Sequence, residues 1–235
     1  MDSTEKTGLA LRIGAAVAAA AASNADPVAG LVASGLVPAA EAAVSRWQAQ
    51  QARNVDNALD EAAEASGLRI DNLLDRLAAD PARLVFLSEA LTAAARSTFS
   101  ERVRALGRAL ASGALADDEA RVDEERLWVA ILAGVEAPHL RILRQLMLPR
   151  DQQPYGTTPQ QLTLAEAAGV SYVMAGHLLA DLERHGLASW RWGETYPQSY
   201  REAQGASASE KFWQPTSLTP ELLDRFRAAG REGDE

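Results

Sequence analysis

The stretch QLTLAEAAGVSYVMAGHLLA, residues 161–180, sets the architecture to expect for this chain. Two short helices joined by a tight turn need a small residue where they touch, a glycine four positions later and apolar residues beyond it. Ala165, Gly169 and Val170 meet that pattern, and Ala175 and Leu178 continue it. Ser171 stands where the second helix needs a side-chain oxygen for its free N–H groups, and the helix then runs through Leu182 to a stop at Gly186. Upstream, Thr158-Pro159 with Gln161 three residues after the threonine forms a cap for the first helix.

Beyond this pair the period of the pattern changes. Leu187-Ala188-Ser189-Trp190-Arg191-Trp192 alternates as a strand does, residues 193–210 are polar and Gly/Ser-rich, and Lys211-Phe212-Trp213-Gln214 reads as the returning strand. A last helix starts in the segment Leu218-Thr219-Pro220-Glu221-Leu222-Leu223. Taken together, LTLAEAAGVSYVMAGHLLADLERHGLASWRW and KFWQPTSLTPELLDRF resemble the winged helix-turn-helix superfamily of bacterial regulators, over about residues 138–229. The resemblance implies a second helix that enters the major groove of DNA and a two-stranded wing beside it. Carried over by position, Ser171, Tyr172, Val173, Gly176, His177 and Ala180 face the groove, and Arg191, Arg201 and Lys211 around the wing reach phosphates.

The groove-facing set departs from the superfamily's usual chemistry. Bidentate base readout draws on Arg, Lys, Asn or Gln, and none of these occurs at those positions. Ser171, Tyr172 and His177 can each make single hydrogen bonds, and Val173 can touch a thymine methyl. Glu194, Glu202 and Glu210 oppose the wing cations. An alternative therefore stands beside DNA binding: a winged helix that holds the protein together or binds another protein through Tyr172, Val173 and Met174. Of these, Met174 is the one expected to lie in the core.

Toward the N-terminus the signal is helical. Pro38 opens and Gly67 closes a long helix over 38–66, with Trp47, Val55, Leu59 and Ala62 as its apolar stripe. A short helix follows at 70–79, and Pro81 opens another with Leu84, Leu87, Leu91 and Ala95 on one face. After a break at 97–100, Val103, Leu106 and Leu110 continue to a stop at Gly113; Arg102, Arg104 and Arg108 form a solvated face pairing with Asp117-Asp118-Glu119. Asp123 is the expected cap of the next helix, with Val122 and Leu127 as its staple, and 127–135 is apolar on nearly every side, hence central. About six or seven helices are expected up to residue 135, and Pro138 restarts one carrying Leu140, Leu143 and Leu146.

Composition narrows the function classes. The chain has 235 residues, 23 Lys+Arg against 32 Asp+Glu and a net charge of −9; residues 136–235 alone carry −3. Such a balance argues against non-specific nucleic-acid binding. Alanine occurs 48 times, 37 of them before residue 141, which favours closely packed helices. The lack of cysteine excludes disulfides, thiolate zinc sites and a cysteine nucleophile. There is no Gly-rich phosphate loop, nucleophile elbow or HExxH sequence. His177, Asp181 and His185 share a helix face, but the two histidines are two turns apart, too far to chelate one ion easily. His139, after the helix-starting proline, reads as a surface or hydrogen-bonded histidine. No catalytic residue, metal or cofactor is expected.

The first residues differ from the rest. Gly8 to Ala22 is apolar apart from Arg12, and Val28 to Val37 is a second small-residue run; neither reaches the length of a membrane span. Asp2 and Glu5 disfavour a signal peptide. Two packed helices are expected there, with a membrane-active or partner-binding hairpin over 8–37 as the alternative. The order of an Ala/Gly-rich start, a long helix containing Arg46-Trp47, ALGRALASGAL, an acidic loop and VDEERLWVAILAGVEAPHLRIL also resembles, more loosely, the Abi-alpha abortive-infection family. That resemblance implies a phage-defence protein and offers no catalytic residues.

The expectation is thus a mainly α chain: segment 1–37, an all-helical body 38–135 and a winged helix-turn-helix domain 136–235. The function read from it is a non-catalytic, cytoplasmic, DNA-binding regulator whose helical body dimerises. The alternative is a phage-defence interaction protein with protein contacts through the winged helix.

Overall fold

The computed structural model describes residues 37–149, 152, 160–194 and 209–230. Among them are nine helices and one two-stranded antiparallel sheet near the C-terminus, so the described chain is mainly helical. The readings of residues 8–36, of Thr158-Pro159 and of Arg201 and Glu202 fall outside these residues. Two compact units are present, one made mainly of the residues up to Ala133, with Ala229 onward assigned to it as well, and one spanning Gly134–Ala228.

The first unit holds five described helices: α1 (Val37–Ser66), α2 (Ile70–Ala78), α3 (Pro81–Ala95), α4 (Ser100–Leu115) and α5 (Glu119–Gly134). Its helix starts follow local chemistry. At α3, Pro81 occupies the first turn, and the Asp80 carboxylate accepts hydrogen bonds from the backbone N–H of Ala82 (2.6 Å) and Arg83 (3.4 Å). Small residues set how closely the helices approach. A side chain at Gly107 of α4 would come within 2.5 Å of the Ala58 carbonyl oxygen and 2.8 Å of the Glu61 Cβ, so α1 and α4 cross nearly backbone to backbone. Ala58 and Ala62 are fully buried there, and Leu73, Leu77, Phe86, Leu91, Leu106 and Leu110 fill the surrounding core.

Several expectations for this unit need correction. Helix α4 runs past Gly113 to Leu115, because Gly113 makes room for the Phe86 ring rather than ending the helix. Arg102 is buried instead of solvated. It donates to the Ser97 hydroxyl (2.9 Å) and the Ala133 carbonyl (3.4 Å), with its guanidinium 5.1 Å from the centre of the Phe99 ring. Arg108 pairs with Glu61 of α1. Helix α5 starts at Glu119, and it is Asp118, not Asp123, that accepts from a first-turn N–H, that of Arg121 (2.8 Å). The apolar run of α5 is one-sided. Val122, Trp128, Val129 and Leu132 are buried, whereas Leu127 is 68 % exposed, because the helical period carries it to the outer side. Trp47 and Leu84 are exposed for the same kind of reason, each lying before the buried stretch of its helix.

The second unit contains α6 (Ala137–Leu146), α7 (Gln161–Ala168), α8 (Tyr172–Arg184), β1 (Ala188–Glu194), β2 (Ser209–Pro215) and α9 (Leu218–Gly230). Helices α7 and α8 meet at 98°. The turn between them begins at Gly169, φ +65°, where the Gly169 and Val170 N–H groups return to the Glu166 and Ala165 carbonyls. The same pattern closes α8. Gly186, φ +68°, and Leu187 donate to Glu183 and Leu182, and both leucines are buried. A glycine C-terminal stop of this kind satisfies carbonyls that the helix leaves open. The Arg141 side chain of α6 donates to one more, Ala168 O, at 2.8 Å.

Strands β1 and β2 pair in register from Ala188↔Pro215 to Glu194↔Ser209, and Gln160, just before α7, bridges to Phe212. Thr216 and Thr219 tie the start of α9 back to this sheet. The Thr216 hydroxyl donates to Gly186 O (2.6 Å), and the buried Thr219 hydroxyl donates to Leu187 O. Leu143, Leu164, Leu179, Leu182, Trp213, Leu222 and Phe226 belong to this unit's core. Among the described residues no single helix is long and apolar enough to cross a membrane.

Candidate functional site

Helix α8 buries one stripe and leaves the other open. Ala175, Leu178, Leu179 and Leu182 form the buried stripe at helical spacing. Ser171, Tyr172, Val173, His177 and Ala180 all fall off it and are exposed, with Tyr172 at 56 % and Val173 at 69 %. Met174, expected in the core, is exposed as well, because it stands one residue before the buried stripe begins. Leu162 of α7 is a further exposed apolar side chain in this unit.

Two polar groups of this face already serve the fold. The Ser171 hydroxyl accepts from the Met174 N–H at 3.3 Å and so caps α8. The Gln161 amide nitrogen donates to the Tyr172 carbonyl at 2.8 Å. That amide lies over Gly176, where an added Cβ would come within 2.9 Å of it. The one glutamine side chain at the α7–α8 junction is therefore spent on the backbone. What remains open is two aromatic or imidazole donors, Tyr172 and His177, within an apolar surface.

The hairpin supplies the cations. Arg191 is exposed and stands opposite Phe212 in the register. Lys211 stands opposite Trp192, and its ammonium lies 4.0 Å from the centre of the Trp190 ring. Trp190 donates through its indole N–H to Glu183 Oε1 at 2.9 Å, and it meets Trp192 edge-on at 5.3 Å between ring centres. The alternating pattern of β1 was legible in the sequence. That it carries one indole of this pair into solvent was not.

The histidine–carboxylate set on α8 separates. Asp181 pairs with Arg184 at 2.6 Å and stands 3.8 Å from His139 Nε2; His185 occupies the space that a side chain at Gly134 would need; His177 is exposed. Among the described residues no group of three or more such side chains is arranged to hold a metal ion. His139 itself is only 5 % exposed, which corrects the surface alternative of its reading and leaves the hydrogen-bonded one, met at one of its two ring nitrogens. Its Nδ1 accepts from the Glu136 N–H at 3.0 Å, while Nε2 has no hydrogen-bond partner. Burial pushes its pKa below the ordinary histidine value, with Asp181 pulling the other way. His185 is lowered too, by burial first and by Arg184 second.

A polar groove of about 400 Å³ lies in the first unit between α1 and the α3–α4 turn. Its Asn54 donates to Ser97 O and its Glu61 pairs with Arg108, so these groups are used within the fold. No family profile, curated protein or solved structure matches the chain. The chemistry of α8 and the hairpin is therefore the ground on which a function is argued.

Proposed function

We propose that residues 136–235 form a winged helix-turn-helix and that the protein acts by binding, as a non-catalytic DNA-binding regulator with a helical dimerisation part. The carrying observation is the open face of α8, where Ser171, Tyr172, Val173 and His177 are all exposed while the opposite stripe is buried. The 98° crossing of α7 and α8, the Gln160–Phe212 bridge, the β1–β2 hairpin and the following α9 support the same reading. In it, α8 enters the major groove, Val173 meets thymine methyls, and Tyr172 and His177 make single hydrogen bonds. Arg191 and Lys211 reach phosphates, with Arg201 as a third cation from the sequence.

The test is binding of mixed genomic duplex fragments across a salt series. Saturable, sequence-selective binding that Arg191→Ala weakens is the expected result. No shift even at low salt, where phosphate attraction is strongest, sinks the proposal.

A second reading has its own observation. Tyr172, Val173, Met174 and Leu162 present exposed apolar surface without an Arg or Lys at the base-facing positions, a composition suited to a protein partner. The protein is then an interaction protein of the phage-defence kind. Under that reading Val173→Asp abolishes partner capture and Arg191→Ala leaves it intact; equal sensitivity to both removes it.

A further inference from the structure

Among the three tryptophans of the hairpin, Trp192 is the one the fold leaves open. Trp213 is buried. Trp190 carries the Lys211 ammonium on its ring, gives its N–H to Glu183 and touches Trp192 with an edge. Trp192 is 60 % exposed and meets Trp190 edge-on, at 78° between the rings. Residues directly opposite in an antiparallel pair point to the same side of the ribbon, so Trp192 and Lys211 share one face. The inner end of that face, at Trp213, packs into the core; the outer end ends on a free indole beside a held cation.

We propose that this outer face is a stacking site for unpaired nucleobases, with Trp192 as the platform and Lys211 as the phosphate contact. An exposed indole offers a flat π-face to a base, and stacking of this kind tolerates any base. The cation selects the occupant. An apolar protein surface on Trp192 would cover the neighbouring ammonium without a counter-charge, whereas a nucleotide brings a base for the indole and a phosphate for the lysine. A closed duplex hides its base faces, so the site prefers single strands. Lys211 is the one described cation on this face, so affinity rests on stacking more than on charge and falls only shallowly with salt.

The experiment measures anisotropy of labelled oligo(dT) and oligo(U), each of about twenty nucleotides, a length that spans any single site of this class. Wild-type full-length chain is compared with Trp192→Ala, Trp192→Phe and Lys211→Ala, with far-UV circular dichroism to establish that each variant is folded. Trp192→Ala is expected to weaken binding roughly tenfold or more, as loss of one stacking platform does, and Trp192→Phe to retain most of it. Lys211→Ala is expected to weaken binding at low salt more than at high salt. Preference for one oligonucleotide names the natural strand; equal binding assigns the site to the base alone. Unchanged binding by folded Trp192→Ala, or no binding of either oligonucleotide by wild type at low salt, overturns the proposal. It stands apart from the α8 reading. Loss of duplex binding with single-strand binding retained removes that reading alone, and the reverse removes this one alone.

Discussion

At His139 the ring cannot take up a second proton without breaking a bond that the fold uses. Nδ1 accepts from the Glu136 N–H, so the neutral ring carries its proton on Nε2; a protonated Nδ1 would set donor against donor. Glu136 and Asp181 are the nearby carboxylates and favour the charged form, while His185 and burial oppose it, and burial is the largest influence. The folded pKa thus lies below the unfolded value of 6.5. The unfolded chain therefore binds the extra proton first as pH falls. The stability contribution is complete above the unfolded pKa and is lost as pH drops through it toward the folded one, and His185 adds a change of the same sign. Urea midpoints measured from about pH 7.5 to about pH 5.5 should fall, and His139→Asn, whose Oδ1 can still accept from Glu136, should flatten the fall. Superimposable profiles for the two proteins would show that His139 is not the titrating group.

Helix ends are where the two ledgers of local chemistry and tertiary packing can be told apart. Ser171→Ala removes the cap of α8 and should cost about 1 kcal/mol, read as a lower denaturation midpoint with little change elsewhere. Gly107→Ala forces a methyl against the Ala58 carbonyl and the Glu61 stem, neither of which can move freely, and should cost roughly 1–3 kcal/mol. The first effect is local and was legible from Ser171 preceding an apolar run. The second was not, because nothing in the spacing around Gly107 announces which helix will cross there. The same division runs through the rest. Proline at 81 and glycine at 67, 169 and 186 marked the ends of α1, α3, α7 and α8 closely, since those residues act through their own backbone. Gly113, Arg102 and Leu127 were misread because packing against another helix, or the lack of it, decides them. At the candidate site the resemblance, carried over by position, puts Ser171, Tyr172, Val173, Gly176, His177 and Ala180 on one face; all are exposed except Gly176, which is half-buried. Met174 and Trp192 escaped, because exposure at the edge of an apolar stripe or the outer end of a hairpin leaves no periodic signal.

Over the whole molecule the net charge of −9 limits how nucleic acid can be held. Arg191 and Lys211 are the cations of the described hairpin; under the proposed duplex binding they and Arg201 make three phosphate contacts, so a plot of log affinity against log salt should have a slope of roughly −3, at about −0.9 per contact. A slope of roughly −6 or steeper would require cations beyond these three and would move the binding surface elsewhere. The five tryptophans are spread unevenly: Trp47 and Trp128 in the first unit, Trp190, Trp192 and Trp213 in the hairpin. The Trp190–Trp192 pair has an optical consequence. Two indoles fixed 5.3 Å apart at 78° couple their electronic transitions, and such coupling gives a band of two opposite lobes in circular dichroism. Phenylalanine at position 192 should erase those lobes while the helical signal stays. The hairpin thereby carries its own unlabelled report on the Trp190–Trp192 geometry, readable in the same cuvette in which an oligonucleotide is titrated.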